Sequence, residues 1–93
     1  MNIPMTKHAS VRQQQRGIPP LITEWLTSYG STQHDHHGAE ILFFNKQSRK
    51  LLAKEVGNDV VRRLSNYLDT YAVISGDGTV ITVGHRLTRI RTH

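Results

Sequence analysis

Hydrophobic positions in this chain follow two periods. Ile22, Trp25, Leu26 and Tyr29 recur at i, i+3, i+4 and i+7, which is one face of a helix beginning at Pro20, and Gly30 follows as a stop. Leu52, Val56, Val60, Leu64 and Leu68 step by four with Val61 beside them, so a helix is predicted over Lys46 to Leu68 with its Lys and Arg outward. Gly57-Asn58-Asp59 interrupts that segment, and Asn58 or Asp59 can cap a fresh start; it is either one kinked helix or two short ones. The second period is two. Tyr71 to Ser75 and Thr79 to His85 are β-branched runs flanking Gly76-Asp77-Gly78, the signature of a tight hairpin, because glycine accepts positive φ without strain. In the second run Val80, Thr82 and Gly84 point one way and Ile81, Val83 and His85 the other. With Ile81 and Val83 on the core side, His85 sits at the open end of that strand.

Four further segments complete the pattern. Thr6 is a candidate cap for a helix running to Arg16, which Gly17 and then Ile18-Pro19-Pro20 bring to an end. On it His8, Arg12 and Arg16 share one face. Ala39 to Asn45 holds four consecutive large apolar residues and is predicted to be the first strand, covered on both faces or edged by a helix. Ser31 to Gly38 is polar and is predicted to be a loop, and Leu87 to His93 a frayed extension or disordered tail. The order is helix, helix, strand, helix, strand, strand. It predicts one α+β domain over residues 1–93, with a small, mainly antiparallel sheet packed on one face by helices.

Composition narrows the partners. Ninety-three residues support one thin core, and the absence of cysteine excludes a disulfide scaffold, a thiolate metal site and a cysteine nucleophile. Residues 1–7 lack the apolar run of a signal peptide and no segment has the length to cross a bilayer, so a cytoplasmic chain with no membrane partner is expected. The net charge of +5 is loaded at the two ends. Residues 1–20 hold Lys7, Arg12 and Arg16 without an acid, residues 86–93 hold Arg86, Arg89 and Arg91 without an acid, and six bases face seven acids between them. If the fold joins those ends, they make one basic surface suited to a polyanion such as RNA. The structural alternative is that these are solvated cations kept for solubility.

Ser10-Val11-Arg12-Gln13-Gln14-Gln15-Arg16-Gly17-Ile18, Tyr29-Gly30 and the hairpin strand Asp77-Gly78-Thr79-Val80-Ile81-Thr82-Val83-Gly84-His85-Arg86 together resemble a family of small bacterial proteins of unknown function. That family is in turn distantly similar to toxins of the RelE and BrnT type, which pair N-terminal helices with an antiparallel sheet and cleave RNA without metal. One departure is visible in the sequence: the predicted helix over Lys46 to Leu68 lies between strands, where the toxins usually run strand to strand through a hairpin.

The resemblance implies chemistry with defined parts: a base for the 2′-hydroxyl, an acid for the departing oxygen and cations around the phosphorane. In this chain His85, with a reference pKa of about 6.5, is the candidate base or acid, His8 the second proton carrier, and Arg86, Arg12 and Arg16 the cations. This requires the first helix to lie beside the end of the last strand. The structural alternative is that Arg12 and Arg16 bond Asp69, Asp77 or strand-end carbonyls and fasten helix to sheet. The competing functional class is a module without catalysis, binding nucleic acid or a cognate protein through its cations or a free strand edge, as a monomer or weak homodimer. His34, Asp35, His36 and His37 are metal-donor types, yet residues this close do not converge on one ion, so neither a metal nor another cofactor is expected.

Overall fold

Thr6 opens the first helix by accepting the Ala9 amide on its hydroxyl at 3.0 Å, and Gly17, at φ 62°, turns the chain out of it. The computed structural model describes residues 3–35 and 37–86. In it α1 spans Lys7–Gln15 and α2 spans Pro20–Tyr29. Gly30 ends α2 for a reason other than handedness. Its φ is −66°, but a Cβ there would sit 2.5 Å from the Leu26 carbonyl oxygen, too close for any side chain.

The polar stretch after Gly30 is half strand. β1 covers Ser31–His34 and pairs antiparallel with β2, Glu40–Phe43, so the segment predicted as a loop is the outer arm of a hairpin. No apolar alternation marks it, because Thr32 and His34 stay exposed and the sheet's backbone pairing alone holds it. Asp35 closes this hairpin by accepting the amides of His37 and Ala39 at 2.8 and 3.1 Å.

Of the two readings of residues 46–68, the broken one holds: α3 is Lys46–Val56 and α4 is Asn58–Arg63, followed by a 3₁₀ turn at Ser65–Tyr67. The break is at Gly57, φ 96°, which is itself the cap position of α4; neither Asn58 nor Asp59 caps it. α3 carries a reciprocal cap, with Asn45 Oδ1 accepting the Ser48 amide and Ser48 Oγ accepting the Asn45 amide, both at 2.8 Å.

β3, Thr70–Ile74, and β4, Val80–His85, form the second hairpin around the Gly76-Asp77-Gly78 loop, with Gly78 at φ 86°. The sheet is antiparallel throughout in the order β1-β2-β3-β4. The simple alternation expected along β4 fails at one residue. Val73 pairs with Thr82 and Ile74 with Val80, so Ile81 is an extra residue, and this bulge puts Val80 and Val83 together in the core. They join Leu42, Phe44 and Ala72 from the sheet, Ala9, Ile22, Trp25 and Leu26 from α1 and α2, and Leu52 from α3. Ile41, Phe43, Tyr71, Val73 and Thr82 alternate to the opposite face of the sheet and lie outside that cluster. The architecture is α+β, a four-stranded antiparallel sheet packed against helices. Among the described residues no helix is long and apolar enough to cross a membrane. The expected tail, with Arg89 and Arg91, lies outside the described residues.

Candidate nucleic-acid interface

α1 lies along the outer edge of β4. Its start is fastened by the Thr6 amide donating to the Val80 carbonyl and the Val80 amide donating to the Pro4 carbonyl, both at 2.9 Å. Its end is fastened by His85, whose Nε2 is 2.9 Å from the Arg16 carbonyl oxygen. The first helix therefore meets the end of the last strand, as the anion-site reading requires, and residues 69 positions apart touch. A carbonyl only accepts, so it is Nε2–H of His85 that donates in this contact. The helix end has carbonyls with no intrahelical partner, and the imidazole satisfies one of them.

Arg12 and Arg16 ride on α1, Arg12 half-buried and Arg16 exposed. Among the described residues neither makes an ion pair, and the carboxylates named as their structural partners are engaged elsewhere. Asp69 takes Arg49 Nη2 at 3.0 Å. Asp77 Oδ1 accepts from the Ser75 hydroxyl and from the Thr79 amide, the latter at 3.0 Å. The Ser75 contact first and then the Thr79 amide hold the Asp77 carboxyl below its usual range, and no arginine contributes. Asp35 is lowered in the same way, chiefly by the His37 amide.

Two of the residues proposed for chemistry stand apart from this junction. His8 is exposed in the first turn of α1, eight residues from Arg16, or roughly 12 Å along the helix. Arg86 follows His85, so it alternates to the other face of the sheet. Its Nη1 donates to the Phe44 carbonyl at 3.0 Å, its guanidinium carbon lies 5.4 Å from the centre of the Phe43 ring, and its Nε is buried with no partner among the described residues. Arg86 thus acts as a fork between β4 and the end of β2. Arg49, which the sequence reading passed over, is the counterpart from α3: besides Asp69 it reaches the Leu68 carbonyl at 3.3 Å. A signal for it existed in its place on the first turn after the Asn45 cap, but nothing in the pattern named Asp69 as the partner.

What the junction offers is a helix carrying His8, Arg12 and Arg16 along one face, with Lys7 exposed on another face of its first turn and His85 anchored at its end. It can hold an anion through side chains that no acid among the described residues neutralises. Among the described residues no three His, Cys, Asp or Glu side chains group as metal ligands; His36, one of the four donors considered, lies outside the described residues. No family model matches the chain, and neither a curated protein nor a solved structure does.

Proposed function

We propose that this protein is an RNA-contacting module that holds the phosphate backbone along α1, with Arg12 and Arg16 as the principal cations, Lys7 a further cation in the first turn and His85 as the post that fixes the helix end. The observation that carries this reading is that Arg12 and Arg16 have no carboxylate partner among the described residues while Asp69 and Asp77 are both engaged elsewhere. Charge without an internal partner is free to contact phosphate, and guanidinium is suited to it through paired N–H donors. The sequence resemblance to RNA-cleaving toxins points to the same class of ligand.

The reading is binding rather than catalysis. A ribonuclease needs two proton carriers at one phosphate, and His8 and His85 sit at opposite ends of α1. The test is affinity for a single-stranded RNA oligomer across a salt series, comparing the parent with Arg12→Ala/Arg16→Ala. Losing two phosphate contacts lowers the slope of log affinity against log salt by about 1.4. An unchanged slope refutes the assignment. Cleavage of the same RNA that disappears in both His8→Ala and His85→Ala, with folding intact, would establish the ribonuclease instead.

A further inference from the structure

The two edges of the sheet are treated differently. β4 is closed off: Pro4, Met5 and Thr6 bridge to Val80, the bulge at Ile81 breaks its line, and α1 covers its flank. These are the devices by which proteins keep an edge strand from pairing with another chain. β1 carries none of them. Ser31-Thr32-Gln33-His34 has no proline, no lysine and no bulge, and among the described residues nothing pairs with its outer side.

The ladder shows which groups are free. The Asp35 amide donates to the Ala39 carbonyl at 3.1 Å, so the alternation of an antiparallel pair makes Gln33 with Ile41 and Ser31 with Phe43 the next bonded pairs. Thr32 and His34 then direct both their N–H and C=O groups away from β2. Four main-chain groups are thus presented at one edge, alternating donor and acceptor, as a further strand requires.

Charge specifies the strand. Residues 17–45, which contain β1 and its neighbours α2 and β2, hold Glu24, Asp35 and Glu40 and not one lysine or arginine, on a chain whose net charge is +5. Among the described residues the cations lie instead on α1 and its cap, on α3 and α4, and at Arg86 after β4.

We propose that β1 is a docking edge for an extended, lysine- or arginine-rich segment of a partner protein, which adds as a fifth strand through Thr32 and His34. The segment's main chain supplies the hydrogen bonds, and its cations face Glu40, which pairs with His34 across β1 and β2.

The experiment uses the full chain and two synthetic peptides, Lys-Val-Thr-Lys-Val-Thr-Lys and the same sequence with glutamate for lysine. The lysine peptide is expected to bind despite the protein's net positive charge and to slow amide exchange at Thr32 and His34 while leaving Gln33, already bonded to β2, unchanged. The glutamate peptide is expected not to bind. Thr32→Pro removes one outward N–H and no ladder bond, and weakens the lysine peptide roughly tenfold, as the loss of about one well-made hydrogen bond with its neighbours predicts. Glu40→Gln leaves the backbone untouched and weakens it several-fold at low salt. It therefore decides the matter even if the proline variant does not fold. Equal binding of both peptides, slowed exchange confined to other strands, or indifference of a folded Thr32→Pro protein overturns the proposal; so does protection of Thr32 and His34 that appears with protein concentration alone, which assigns the edge to a second copy.

Discussion

Two groups of arginines in this molecule began as equals. Arg49 and Arg86 meet around Asp69, where the end of β2, the start of α3 and the end of β4 come together, and each is fastened to main-chain carbonyls of that corner. Arg12 and Arg16 lie on α1, whose inward contact is made by Ala9 and by main-chain groups at its two ends, so their charged groups receive no internal acid. The difference is one of depth in the fold. At the corner three chain segments end together and leave carbonyls that a helix or strand cannot satisfy, and a guanidinium with several donors fills that need. Along α1 the helix satisfies its own backbone and the arginines are left over, which is what makes them available to a ligand.

Removing Arg86 should have the largest effect on stability. Arg86→Ala strips the Phe44 carbonyl of its charged donor and uncovers the Phe43 ring, which is 1% exposed, and the expected cost is about 1–3 kcal/mol. Chemical denaturation reads it directly. A loss within about 0.5 kcal/mol, the ordinary range for a surface substitution, would return Arg86 to the same class as Arg12 and erase the contrast.

The contrast was only partly legible beforehand. Period and turn chemistry carry α2, the second hairpin and the break at Gly57, because each is a local matter of spacing and glycine. β1 was hidden, since Ser-Thr-Gln-His is held by pairing with Glu-Ile-Leu-Phe and buries no apolar face of its own. The bulge at Ile81 was hidden too: it is a property of two strands in register, and one strand's alternation does not contain it. The sequence reading requires only that the first helix lie beside the end of the last strand, and the contact of His85 with Arg16 follows from α1 lying along β4. The separate fates of Arg86 and Arg12 could not be read from side chains at all, because what decides them is where unsatisfied carbonyls fall.

Arg49→Ala should cost less than Arg86→Ala. Its ion pair with Asp69 is open to water, the two side chains being 38% and 71% exposed, and such pairs contribute about 0–1 kcal/mol. Arg12→Ala and Arg16→Ala, with no ion pair to lose among the described residues, should leave the midpoint of thermal unfolding within a degree or two of the parent while weakening RNA binding. The comparison breaks if either of them destabilises the fold as much as Arg49→Ala, since that outcome requires an internal partner for the helix cations.

The finest test is the acid limb of unfolding. Asp77 is held below its ordinary value by Ser75 and Thr79, so its bonds add stability above the unfolded carboxyl value of about 3.9 and that contribution fades as pH falls through the lower folded value. The group is fully exposed, and the effect is correspondingly small. Asp77→Asn should flatten this limb below about pH 4, whereas Arg12→Ala/Arg16→Ala should leave it where it is, because neither arginine contributes to the shift. If the double variant moves the limb toward higher stability at acid pH relative to neutral, Arg12 or Arg16 has been pairing with a carboxylate after all, and the free cations on which the RNA interface rests are no longer free.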